Sequence, residues 1–149
     1  MKRIKDLAKN SDIFKVSKGT SVYDTLHLMQ QENIGAVLVF EKDKAQGIFS
    51  ERDYARKIVL ENRSSRTTTI EDVMTTDIIT ISPEESLEYA LQIMTDRRIR
   101  HLPIKNKENG QILGIVSIGD LVKELLNFKD EKILELQHYI TGTPVKTLK

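Results

Sequence analysis

The chain has 149 residues, enough for one folded unit with a real core. Its 23 Lys and Arg against 22 Asp and Glu leave a net charge of +1, so a general affinity for nucleic acid or membrane surfaces is not implied, while a local basic patch stays open. Without Cys it can form neither disulfides nor thiolate zinc sites, and no apolar run is long enough to span a bilayer.

The opening Met1-Lys2-Arg3-Ile4-Lys5-Asp6 continues into charged sequence and lacks the apolar core of a signal peptide, so a cytoplasmic protein with no membrane partner is expected. Residues 3–7 read as a short helical turn, and a strand follows around residues 13–16. A helix is predicted over residues 21–31, with Val22, Leu26 and Met29 at three-to-four spacing. Two strands joined by a polar turn follow, over residues 36–40 and 47–50, and a closing helix starts at Asp53. Polar residues 63–68 read as a linker.

The same order then returns. Thr69-Ile70-Glu71-Asp72-Val73 matches Arg3-Ile4-Lys5-Asp6-Leu7, and Ile78-Ile79-Thr80-Ile81-Ser82 matches Ile13-Phe14-Lys15-Val16-Ser17. A second helix is predicted over residues 86–96, then strands over 101–104 and 112–117, then a helix from Asp120. The register drifts between the copies, which puts a small insertion near the turn signal Asn109-Gly110. The last helix runs on to about Ile140, with Gly142 and Pro144 as its stop. Its surplus apolar face hints at a partner chain. The fold class is therefore α/β. Tandem β-α-β-β-α repeats, residues 3–62 and 69–127, build one unit with a shared core, and residues 128–149 form an extension and tail.

The most specific stretch is Gly47-Ile48-Phe49-Ser50-Glu51-Arg52-Asp53 and its second copy, Gly114-Ile115-Val116-Ser117-Ile118-Gly119-Asp120. Each is a strand ending in a Ser that can cap the next helix, with Asp in the first turn. Such a turn is a capping box, and it also leaves helix N–H groups suited to an anion. The copies differ nearby: Ile34-Gly35-Ala36-Val37-Leu38 stands where the second repeat has Ile99-Arg100-His101-Leu102-Pro103.

The doubled pattern and the doubled Gly-x-x-Ser-x-x-Asp resemble a pair of CBS domains, a Bateman module with pseudo-twofold symmetry. Ser50-Glu51-Arg52-Asp53-Tyr54-Ala55-Arg56-Lys57 and Tyr139-Ile140-Thr141-Gly142 are similar to the small stand-alone CBS-pair proteins of bacteria and plant organelles. The resemblance implies a regulatory module, with no catalytic cofactor, that binds AMP, ADP, ATP, NAD or S-adenosylmethionine in two clefts and forms a homodimer. No effector domain is seen in the sequence, so a separate regulated protein is expected. Asp53 and Asp120 would accept from ribose hydroxyls, because a carboxylate offers two acceptor oxygens to a vicinal diol. Ser50 and Ser117 would sit where phosphate meets helix N–H groups. Arg52, Arg100 and His101, ahead of Pro103, would pair with phosphate oxygens. Ile79, Ile99 and Ile115 would form the adenine slot of one copy, and Phe14, Ile34 and Ile48 that of the other, beside Gly35 and Ala36. At most one cleft has the family's full set of phosphate ligands, since Ile34-Gly35-Ala36-Val37-Leu38 lacks the Pro and both basic groups.

Two other classes compete. An enzyme lacks support, for there is no paired nucleophile and base and no metal cluster in the sequence. A nucleic-acid binder would use Arg97, Arg98, Arg100 and His101, with Arg63 and Arg66, but aromatic residues are sparse at 5%. A ligand-free interaction scaffold is the remaining alternative.

Overall fold

A computed structural model describes residues 2–8 and 13–141 of the chain. The first repeat comprises α1 (Ile4–Ala8), β1 (Lys15–Ser17), α2 (Val22–Glu32), β2 (Ala36–Glu41), β3 (Lys44–Ser50) and α3 (Glu51–Asp53). From α3 the chain continues in π-helical geometry over Tyr54–Val59. The second repeat opens with a 3-10 turn, Ile70–Asp72, followed by α4 (Leu87–Arg97), β4 (His101–Lys105), β5 (Ile112–Ser117) and α5 (Ile118–Thr141).

The middle helices of the two repeats, α2 and α4, are bounded by matching devices. Ser21 accepts from the Asp24 N–H at 3.0 Å and Ser86 from the Tyr89 N–H at 3.1 Å, so both helices start on a hydroxyl cap. Asn33 and Arg98 end them in the left-handed region, at φ 53° and 55°. Asn tolerates this conformation; for Arg98 it costs about 1 kcal/mol.

In the first sheet β1 runs parallel to β2 and β2 antiparallel to β3. The second sheet pairs β4 with β5, and the strand expected over residues 78–81 shrinks to one parallel bridge, Ile81 with Ile104. The reason lies in the partner strand. In the first repeat the Leu38 N–H donates to the Phe14 carbonyl at 3.2 Å. The equivalent of Leu38 is Pro103, which has no N–H, so the ladder cannot extend back to Ile79.

The strand connections also differ. Lys42 and Asp43, both at positive φ, close a two-residue turn between β2 and β3. Residues 106–111 join β4 to β5, with Gly110 at φ 73°, and this is the insertion expected near Asn109-Gly110.

The expectation of one core shared by stacked sheets is corrected: the buried side chains divide into two clusters. In the first, Ile70 and Val73 pack with Val22, Val37, Phe49 and Ile58. In the second, Ile4 packs with Leu87, Met94, Leu102, Ile104 and Leu121. Each opening turn thus fills the core of the other repeat, and this exchange joins them. The Ile4 N–H donates to the Glu85 carbonyl at 2.9 Å, and the Ile70 N–H to the Thr20 carbonyl at 2.8 Å.

Leu121 anchors α5 in the second core, while Ile118, Val122, Leu126, Ile133 and Leu136 line an exposed stripe. Gly142 and Pro144, expected to stop this helix, lie outside the described residues, as do the side chains of Phe128 and Tyr139. Among the described residues no helix is long and apolar enough to cross a membrane.

Candidate functional site

Two clefts open between the repeats, one at each Ser-x-x-Asp turn. The first, about 520 Å³, holds Ser50 and Asp53 together with Ile79, Ile99, Arg100 and Pro103 of the second repeat. The second, about 700 Å³, holds Ser117 and Asp120 together with Phe14, Ile34, Gly35 and Ala36 of the first. Gly47 permits the close crossing at the first cleft, where Ile48 and Thr75 bridge. The Ile48 N–H donates to the Thr75 carbonyl at 2.9 Å. A Cβ on Gly47 would lie 2.6 Å from Met74 Sδ and 2.9 Å from that carbonyl oxygen.

The apolar sets are exchanged relative to the sequence expectation. Ile48 lines the cleft of Ile79 and Ile99, while Ile115 lines that of Phe14 and Ile34. The pseudo-twofold sets each motif strand beside the opening segment of the other repeat.

The two aspartates occupy the same turn in different company. Asp53 Oδ2 accepts from the Ser50 N–H at 2.9 Å and the Ser50 hydroxyl at 3.1 Å. Its Oδ1 accepts from the Thr75 hydroxyl at 3.1 Å and pairs with Lys57 Nζ at 3.1 Å. These contacts engage all of the carboxylate's roughly four acceptor positions, and its side chain is only 13% exposed. Lys57 in turn donates to the Val73 carbonyl at 2.9 Å. Asp120 accepts at Oδ2 from the Ser117 N–H at 2.9 Å, and its Oδ1 has no partner among the described residues. One helical turn beyond it stands Glu124 where the first repeat has Lys57, and Glu124 pairs with Lys2.

His101 is the wall between the clefts and lines both. Its ring lies against Gly35, where an added Cβ would meet Cε1 and Nε2 at 3.0 Å. Burial lowers its pKa from 6.5; Glu51 and Asp120 oppose that shift, and Arg100 adds to it. Arg52 crosses between the repeats and donates to the Arg98 carbonyl at the end of α4. That carbonyl lies at the C-cap of α4, where carbonyls have no intrahelical partner.

The first cleft also gathers Arg56, Arg97, Arg98, Thr75 and Asp77, and the second Lys2, Lys123 and Glu124; none is an expected nucleotide ligand, and Arg97 and Arg98 are expected only in the nucleic-acid alternative. Lys57 carries a readable sequence signal, four residues after Asp53 on a helix. Thr75 carries none, because only the crossing at Gly47 brings it there.

A family model described as CBS domain matches residues 4–60 and 70–127. The chain is 43% identical over 127 residues to the mitochondrial CBS domain-containing protein CBSX3 of Arabidopsis thaliana, covering 82% of this chain and 61% of that protein, so it spans about three fifths of the plant relative. It is 34% identical over 121 residues to CBS domain-containing protein YhcV of Bacillus subtilis, covering 81% and 84%. A solved CBS-domain protein from Burkholderia ambifaria shares 40% identity and a TM-score of 0.79, covering 83% of this chain and 93% of that one. One from Agrobacterium tumefaciens shares 32% and a TM-score of 0.76, covering 83% and 98%. With both repeats matched and the opening turns exchanged around two clefts, the chain belongs to the CBS domain family and forms a CBS pair, a regulatory module.

Proposed function

We propose that this protein senses adenosine nucleotides (AMP, ADP, ATP or NAD), binding them in the clefts between its repeats without chemical turnover and passing the signal to a separate protein. One observation carries the reading: a Ser-x-x-Asp turn stands in each of two apolar-lined clefts, and arginines rim one of them. The isoleucines offer faces for a purine, the carboxylate an acceptor for ribose, and Arg100 with His101 a partner for phosphate.

Thermal unfolding with AMP, ADP, ATP, NAD, S-adenosylmethionine and GTP tests it. An adenosine ligand at about a hundred times its dissociation constant should add about 2.7 kcal/mol. Folded protein that responds to none of them overturns the reading, and steady hydrolysis of ATP would make it an enzyme.

The active form in this reading is a homodimer. The stripe on α5 and the exposed Val59 and Leu60 at the end of the first closing helix are apolar faces that a second copy would cover. Light scattering should give twice the 17.1 kDa chain mass; a monomer at high micromolar concentration refutes it. The arginine rim also fits a nucleic-acid strand. However, Arg63 pairs with Glu61 at 3.3 Å and Arg66 lies over the Tyr23 ring at 4.2 Å, so both linker arginines already have partners within the chain. RNA affinity falling steeply with salt would favour that second reading.

A further inference from the structure

We infer that the two clefts read different parts of an adenosine ligand: the Asp120 cleft holds the nucleoside by its ribose, and the Asp53 cleft holds a nucleotide by its phosphates. This rests on the adenosine reading above and divides its labour between two unlike sites.

The hydrogen-bond inventory carries the first half. A ribose diol needs acceptor positions on its carboxylate. Asp53 has already given its positions to Ser50, Thr75 and Lys57. Asp120 keeps Oδ1 without a partner among the described residues and faces the larger cleft. A sugar therefore meets an open acceptor at Asp120. At Asp53 it must displace an ammonium ion or a hydroxyl.

Charge carries the second half. Arg52, Arg56, Arg97, Arg98 and Arg100 line the Asp53 cleft against Glu51, Asp53 and Asp77, and Lys57 already offsets Asp53. Guanidinium groups suit the paired oxygens of phosphates and stay charged at every working pH. Lys2 and Lys123 line the Asp120 cleft against Asp6, Asp120 and Glu124, with no arginine among the lining residues. Lys2 is paired with Glu124. A polyphosphate there would stand among carboxylates, and that repulsion rejects it. An adenosine whose 5′ group is uncharged or cationic would fit. The unequal neighbours at one position, Lys57 and Glu124, contribute to both differences.

Calorimetry on the full chain with adenosine and with ATP, at low and high salt, tests the division. Adenosine should bind one site with little dependence on salt, and ATP should bind a second site whose affinity falls steeply with salt. Saturating adenosine should leave ATP affinity unchanged within about twofold. Asp120→Asn should weaken adenosine by about tenfold or more and spare ATP. Arg97→Gln with Arg100→Gln should do the reverse. Competition of adenosine and ATP for one site overturns the inference in the native protein, without any variant. So do variants that weaken both ligands equally while keeping the native melting temperature. If folded protein binds neither ligand, the adenosine reading falls with it. If both bind but fail to separate, only the division falls.

Discussion

Asp53→Asn removes a negative charge that Lys57 faces at 3.1 Å in a mostly buried setting. It leaves an ammonium group short of its partner, so stability should drop by about 1–3 kcal/mol. Lys57→Met should cost less, and the pair should couple in a double-mutant cycle by denaturant unfolding. Asp120→Asn should change stability by about 0.5 kcal/mol or less, because Asn still accepts near a helix start and Asp120 is exposed. Equal costs at the two positions would show that Lys57 contributes nothing. His101 gives a pH signature. Its folded pKa lies below 6.5, so the unfolded chain binds the proton better. The stability tied to the neutral ring is complete above about pH 6.5 and declines as pH falls below it. Melting curves from pH 8 to pH 5 should show that decline, and His101→Gln should remove its histidine component.

Among the elements, helix caps were legible and strand pairing was less so. Ser21 and Ser86 announce α2 and α4 because a hydroxyl acts on N–H groups three residues away. The loss of a strand at residues 78–81 depends on Pro103 in another strand, and local pattern cannot report a missing partner. The π-helical run at Tyr54–Val59 was likewise hidden, since its apolar spacing reads as an ordinary helix. Gly47 was legible as part of a motif, but its reason emerges only from the crossing of Met74 and Thr75. Gly47→Ala should therefore force that crossing apart and destabilise by about 1–3 kcal/mol, read from the urea midpoint. A neutral outcome would mean that Met74 yields freely and that the bridge does not hold the cleft floor.

For the whole molecule, the doubled pattern revealed the number of repeats and their equivalence, but not their proximity. Aligning two copies identifies Ile48 with Ile115; it does not say that each stands beside the other copy's apolar pair. The exchange of opening turns was hidden for the same reason. It leads to a long-range expectation: Ile4→Ala, a change in the opening turn of the first repeat, should cost about 2–4 kcal/mol and loosen the second core. Hydrogen exchange should then quicken around Leu102 and Val116 before it does around Val37 and Val39. Loosening confined to the first sheet would contradict the packing of Ile4.

That exchange also bears on the order of events at the ribosome. The segment bearing Ile4 leaves the exit tunnel well before its partners Leu102, Val116 and Leu121, which lie about a hundred residues later in the chain. Until those partners are made, this apolar turn has nowhere native to go. The first core, by contrast, can close as soon as Ile70 and Val73 emerge. The newborn chain can thus hold a closed first core while the Ile4 turn still waits for the second, which makes its docking a late, long-range step.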